Sequence, residues 1–159
     1  CKRIAFLTIA PNLSISNKRM NGYLDALKKH NIEPDERLIL SCTGDDAKNN
    51  ELIRQLLSNP KRPDGVFASV EKLAISTYAI CEELNFSIPE DLKVICFSNM
   101  QTAAFLNPSL STITQPAFEM GREAAAILFD LVEKKAKQLR VEKMVLNSIL
   151  VARNSTKAI

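Results

Sequence analysis

The run Ile4-Ala5-Phe6-Leu7-Thr8-Ile9 is short and almost wholly apolar, the pattern of a strand buried on both faces. Turn formers occupy 11–16. From about Ser16 a helix follows: Met20, Tyr23, Leu24 and Leu27 recur at three- and four-residue steps, with Ser16 as the expected N-cap. Asn31 and Pro34 close it, and Leu38-Ile39-Leu40 reads as a second strand. Asp45 or Asp46 then caps a second helix that turns Leu52, Ile53, Leu56 and Leu57 inward, and Pro60 and Pro63 mark its exit. Val66-Phe67-Ala68 is the third strand. A third helix carries Leu73, Thr77, Ile80, Cys81 and Leu84 on one face, Pro89 breaks the chain, and Val94-Ile95-Cys96-Phe97 is the fourth strand. This βαβαβαβ order with apolar strands predicts an α/β fold of the flavodoxin-like kind. Its crossovers are right-handed, its sheet is parallel and its helices lie on both faces.

Beyond Phe97 the alternation stops. Residues 99–116 are irregular, with Pro108, Pro116 and a short β-like stretch, Ser111-Thr112-Ile113. The longest helix is expected over 117–135, started by Pro116. Ala124, Ala125, Leu128, Phe129 and Val132 share one of its faces, and Gly121 permits close packing. Residues 144–151 read as one long strand or two short ones, and Arg153-Asn154-Ser155 ends the ordered chain.

A hydrophobic share of 46% and a charged share of 25% are those of a folded globular chain, which excludes a disordered one. No apolar run approaches the length a bilayer requires. The formal charge of +3 is too small to argue for nucleic acid, and the densest basic cluster, Lys134, Lys135 and Lys137, sits at an expected helix end, where cations suit the dipole. Cys1, Cys42, Cys81 and Cys96 form no CxxC pair, and three of them fall in or beside apolar segments. Buried free thiols in a reducing, cytoplasmic compartment account for them. One histidine, His30, and no clustered ligand spacing leave no metal site to predict. The chain enters a core strand almost at Cys1 and so reads as a fragment of something longer.

In an open parallel sheet, ligands bind beyond the carboxyl ends of the strands. That rule nominates the loops 10–16, 41–45, 69–71 and 98–99. Their hydroxyls, amides and carboxylates suit a neutral, hydroxyl-rich small molecule. They hold no nucleophile elbow, phosphate loop or metal pair, so no enzyme is expected and no cofactor is implied. Arg19 falls in the expected first helical turn, where a cation opposes the dipole. That cost points only weakly to a compensating partner, and composition alone favours an exposed surface arginine. Glu71, also in a first turn, is stabilising there in any case.

Three segments resemble one family. Arg19-Met20-Asn21-Gly22-Tyr23 resembles the R-x-x-G-[YF] helix start of the lactose/galactose repressor (LacI/GalR) family. Ile88-Pro89-Glu90-Asp91-Leu92-Lys93-Val94-Ile95-Cys96-Phe97 resembles its I-P-x-D-[IL]-x-V-x-[GS]-[FY] segment. Asn107-Pro108-Ser109-Leu110-Ser111-Thr112-Ile113-Thr114-Gln115-Pro116 resembles its P-x-L-[ST]-T-I-x-Q-P crossover. Pro63-Asp64-Gly65-Val66-Phe67-Ala68, Glu71-Lys72-Leu73-Ala74 and Arg153-Asn154-Ser155 also fit, in order and spacing, over essentially the whole chain.

The resemblance implies the second half of a type I periplasmic-binding-protein-like domain, in which two α/β subdomains close around an effector. Residues 1–109 would form the C-terminal subdomain. Residues 110–138 would cross to the N-terminal subdomain and supply one of its strands and its long helix, and 139–159 would return. The DNA-binding part would lie outside this sequence, so operator DNA would be met only there. Arg19 matches the family's effector-binding arginine, Glu71 its usual aspartate, Val70 its frequent asparagine, and Ser98 an aspartate that bonds effector hydroxyls; Asn99 or Glu71 would compensate. A homodimer would use Ile75, Tyr78 and Ala79 with Thr102, Ala103, Phe105 and Leu106. The apolar run Ala103-Ala104-Phe105-Leu106, outside regular structure, independently points to a covered surface. The resemblance therefore implies a sugar-like effector sensed by a transcriptional regulator; a secreted sugar-binding protein of the same fold is the alternative.

Overall fold

The computed structural model describes residues 1–9, 13–133 and 143–157. Six strands form one sheet: β1 (Ile4–Ile9), β2 (Ile39–Cys42), β3 (Gly65–Ala68), β4 (Lys93–Phe97), β5 (Ser111–Thr114) and β6 (Ile149–Val151). Their order is β2-β1-β3-β4-β5-β6. The first five pair in parallel, and β6 runs antiparallel to β5. The helices are α1 (Ser14–Lys29), α2 (Asp46–Leu57), α3 (Glu71–Glu83) and α4 (Ala117–Glu133).

Alternation along the strands divides the side chains between two layers. Ala5, Leu7, Val66, Ala68, Val94 and Cys96 join Ile53, Leu57, Leu73, Ala74, Ile80 and Cys81 in the larger core, under α2 and α3. Phe6 turns the other way and meets Tyr23 and Leu27 of α1, its ring stacked 5.2 Å from that of Tyr23. The two-sided burial expected of β1 is therefore literal: Ala5, Phe6 and Leu7 are all fully enclosed.

The motif residues act through the backbone. Asp64 accepts from the backbone N–H groups of Lys2 and Arg3 at 2.7 and 2.9 Å, closing the start of β1. At Gly65 a Cβ would lie 2.9 Å from Sγ of the exposed Cys1. Asp91 accepts from the Ser87 N–H at 2.8 Å and closes the turn before β4. Arg153 donates to the Leu110 carbonyl at 2.6 Å and to Thr112 Oγ1 at 2.9 Å. Buried Ser155 donates to the Val94 carbonyl at 2.6 Å and accepts from Ser111 N–H at 2.8 Å. Together these two residues seam the β4 side of the sheet to β5.

Several expectations need correction. Helix α1 begins at Ser14 with Leu13 at the N-cap, so Ser16 is not the cap. Its buried hydroxyl donates instead to the Ile9 carbonyl at 2.8 Å, tying the helix to the strand before it. Asp45 does cap α2, accepting from Lys48 N–H at 3.2 Å, but Leu52 is left exposed while Ile53 and Leu57 are buried. Asn31, with φ 54°, ends the first helical segment in the left-handed conformation that asparagine tolerates. The segment 110–138 was expected to supply a strand to another subdomain; its strand β5 instead pairs with β4 in this sheet. Only Ile149–Val151 of 144–151 is strand. The Lys134, Lys135 and Lys137 cluster, the end of the 117–135 helix and the start of the 139–159 return lie outside the described residues.

Helix α4 has its apolar residues on one side as expected, yet none of its residues is buried. Phe118, Leu128, Phe129 and Val132 are exposed, and nothing lies within 4 Å of a Cβ built on Gly121.

Candidate functional site

The carboxyl ends of β1, β3 and β4 meet at one edge of the sheet, and α1 and α3 start beside them. Arg19 reaches this edge from the second turn of α1, not the first. Its Nη1 donates to the Ser69 carbonyl at 2.9 Å, and its guanidinium lies 4.2 Å from the centre of the Phe97 ring. Two different supports, a carbonyl and an aromatic face, thus hold the planar group. Its Nε is buried without a hydrogen-bond partner among the described residues. Burial lowers the guanidinium pKa from its ordinary value, and the neighbouring Cys96 opposes that shift.

Glu71, the first residue of α3, accepts from Ser98 Oγ at 2.6 Å. Ser98 Oγ in turn accepts from the Met100 N–H at 2.8 Å. The serine that stands where an aspartate was expected therefore brings a carboxylate to the end of β4 from the neighbouring helix. Buried Cys96, on β4 two residues before Ser98, has its thiol pushed up to about 12, first by burial and then by Glu71, with Arg19 opposing. Both charged groups are thus felt at one point in the fold.

Of the five residues nominated for an effector, Arg19, Ser98 and Glu71 come together at the strand ends. Val70 is the N-cap of α3, carries no polar group and packs half-buried against the core. Asn99 is drawn away: its Nδ2 donates to the Gln115 carbonyl at 2.8 Å and its Oδ1 accepts from the Gln115 N–H at 2.7 Å. It clamps the crossover that leads to α4. Two participants were not foreseen, the Ser69 carbonyl and the Phe97 ring. The alternation of β4, which turns Phe97 and Ile95 to the α1 side, was the available signal.

Among the expected dimer residues, Ile75, Ala79, Thr102 and Phe105 are exposed, Phe105 at 86%. Tyr78 is half-buried; its hydroxyl donates to the Pro108 carbonyl at 2.9 Å, and burial pushes its pKa up to about 12. Ala103 is a correction: it is fully buried in the core, inside the 3₁₀ turn Gln101–Phe105, and cannot face a partner. Leu106 packs half-buried on the same core.

A groove of about 1250 Å³ does not sit over the strand ends alone. It runs along the α1 face of the sheet between α1 and Phe67, Ile95, Phe97 and Ile113, with Arg19 at one end. No group of three or more His, Cys, Asp or Glu among the described residues is placed to hold a metal. No helix among them is long and apolar enough to cross a membrane.

Comparison with known proteins fits this geometry. The family of the periplasmic binding protein-like domain matches residues 1–156. The ribose operon repressor of Escherichia coli K12 is 31% identical over 156 residues, covering 96% of this chain and 46% of that protein. A regulatory protein of the LacI family from Chloroflexus aggregans superposes with a TM-score of 0.88 at 27% identity, covering 97% of this chain and 55% of that one. The transcriptional regulator CelR in its cellobiose complex gives 0.86 at 25% identity, covering 97% and 46%. The chain spans about half the length of the curated relatives it matches. The sheet order, the strand-end cluster and these matches agree: the chain belongs to the periplasmic binding protein-like domain family, in the form that serves as the effector-binding domain of LacI/GalR regulators.

Proposed function

We propose that the chain is the C-terminal part of a sugar-sensing domain whose effector is held at the carboxyl ends of β1, β3 and β4. In the whole regulator, occupancy of that site modulates DNA binding by a helix-turn-helix segment outside these 159 residues. The observation that carries the reading is the guanidinium of Arg19. Ser69 and Phe97 hold it in place, and its remaining N–H groups have no protein acceptor among the described residues. Such a group offers a fork to two ligand oxygens. Glu71, steered by Ser98, accepts a ligand hydroxyl beside it. The related CelR structure is a cellobiose complex, which makes a hydroxyl-rich effector the first choice.

Calorimetric titration with a panel of mono- and disaccharides that includes ribose and cellobiose tests the proposal. Losing a charged hydrogen bond in a desolvated cleft costs ~1.5–3 kcal/mol, about ten- to a hundredfold in affinity. Arg19→Ala is expected to weaken the sugar that binds by that factor and to leave the fold intact. Arg19→Lys restores only part, because an ammonium cannot fork. Equal affinities for the parent and Arg19→Ala would make Arg19 a structural residue and overturn the assignment. A homodimer through α3 and the Gln101–Phe105 turn belongs to the same reading, carried by the exposed Phe105 and Ile75.

A further inference from the structure

Strand β4 ends at Phe97 and β5 at Thr114, yet the pairing between their chains continues beyond both ends. Ser98 donates its backbone N–H to the Ile113 carbonyl at 3.0 Å. Asn99 continues the ladder with its side chain. Its Oδ1 accepts from the Gln115 N–H at 2.7 Å, and its Nδ2 donates to the Gln115 carbonyl at 2.8 Å. A side-chain amide offers the same acceptor and donor as a peptide group, so Asn99 stands in for one more residue of strand.

The hold falls where α4 begins. The Gln115 carbonyl also accepts from the Ala117 N–H at 2.9 Å, and the Pro116 carbonyl accepts from the Met120 N–H at 2.9 Å. The proline ring fixes the φ between them. Asn99 therefore sets the direction in which α4 leaves this sheet. On its other side Asn99 adjoins the strand-end cluster. Ser98 Oγ donates to Glu71 at 2.6 Å and accepts from the Met100 N–H at 2.8 Å, so one hydroxyl closes a turn across Asn99 and answers to the carboxylate.

We infer that Asn99 couples the cluster to the crossover: a change in the Ser98–Glu71 hydrogen bond passes through Asn99 to Gln115 and the start of α4. Its regulatory meaning rests on the sugar-sensing reading above, in which α4 belongs to the other subdomain. A ligand hydroxyl that takes Glu71 as its acceptor competes with Ser98, and the turn across Asn99 responds. Both Asn99 bonds go to one residue, so the hold is either made or released, and that is the two-state element coupling requires. Asn99 itself is exposed, so release costs little. It is a positioning residue and touches no effector. A purely structural clamp would hold Gln115 equally well whatever Glu71 does.

The experiment is amide hydrogen exchange on the full-length regulator that contains this chain, read at Gln115 and Ala117 by mass spectrometry with residue-level fragmentation. The variants are Asn99→Ala, Glu71→Ala and the two combined. Each single substitution is expected to speed exchange at both amides about threefold or more, the scale of one lost hydrogen bond. The double variant should exchange no faster than Asn99→Ala alone, because both changes act through one link. Ser98→Ala removes the Glu71 bond from its other end and is expected to match Glu71→Ala. The β1 amides are the control for general loosening and should not change. Unaltered exchange at Gln115 and Ala117 in Glu71→Ala and Ser98→Ala overturns the inference. So does a double variant whose effects multiply, or a rise at β1 equal to that at Gln115. No sugar is present in this experiment, so a failed sugar titration removes the proposed effector and leaves the coupling result standing.

Discussion

On the α2/α3 face of the sheet, Ala5, Leu7, Val66, Ala68, Val94 and Cys96 are enclosed. On the α1 face, Phe67, Ile95, Phe97 and Ile113 from the same strands and their neighbour stay half-buried beside a groove. The difference follows helix cover. Helices α2 and α3 press onto the strands of the closed face. On the other face one helix covers β1, and large side chains stand over β3, β4 and β5 with no helix among the described residues to meet them. An apolar strand pattern therefore reports that a face is to be covered, and not which element covers it.

The sharpest way to break this contrast is by truncation. Leu73→Ala or Ile80→Ala, each fully buried on the closed face, is expected to cost ~2–5 kcal/mol in urea denaturation. Ile95→Ala on the groove face should cost less, about 1 kcal/mol, because much of its side chain is already in contact with water. Equal costs would mean that the groove is closed in solution.

Thiol chemistry sharpens the same contrast. Cys42, Cys81 and Cys96 are buried in the closed-face core, where burial raises all three pKa values, those of Cys81 and Cys96 to about 11 and about 12. Cys1 is exposed at the groove. A disulfide reagent at pH 8 should label Cys1 alone at the fast rate, and the other three only as the chain unfolds. Rapid labelling of a second thiol would show the closed face opening.

The smallest effect lies at the rim near β2. The Arg37 side chain, by hydrogen bonds at 2.9 Å and by charge, holds the Asp35 carboxyl down at about 2 from 3.8, with Arg3 adding to the charge. A depressed carboxylate stabilises the fold above its unfolded pKa and stops doing so as pH falls through the folded one. Asp35→Asn should therefore lower stability slightly at pH 7, flatten the loss between about pH 4 and pH 2, and converge with the parent below about pH 2. An unchanged acid limb would assign the pair no role in folding.

Much of this was legible in the chain because it rests on local apolar periodicity. The four parallel strands from Ile4 to Phe97 announce themselves as short apolar runs, and Asp45 before a polar helix start is a cap by chemistry alone. The readings that failed depend on where a polar atom points. Ser16 looks like a cap, yet its hydroxyl meets the carbonyl of Ile9, seven residues back. Asn99 looks like a ligand residue, yet its amide matches the backbone of Gln115, sixteen residues on. Ala103 sits in an apolar run in which the tight 3₁₀ turn buries one residue and exposes its neighbours. For the site, Arg19, Glu71 and Ser98 were all nominated in the sequence, but the hydrogen bond that joins Glu71 to Ser98 was not, because it links residues 27 apart that only the β3–β4 register brings together.

The seam made by Arg153 and Ser155 has a consequence for the order of synthesis. Strand β4 carries a carbonyl, on Val94, whose hydrogen-bond partner Ser155 is made 61 residues later. A ribosome delivers residues at about 5–20 per second, so β4 waits several seconds before that hydroxyl exists. Strand β5 waits as well, since Leu110, Ser111 and Thr112 all bond to Arg153 or Ser155. During translation the β1–β3 half of the sheet can close while its β5 edge stays unfinished and open to wrong strand partners. That edge stays unfinished until Arg153 and Ser155 emerge.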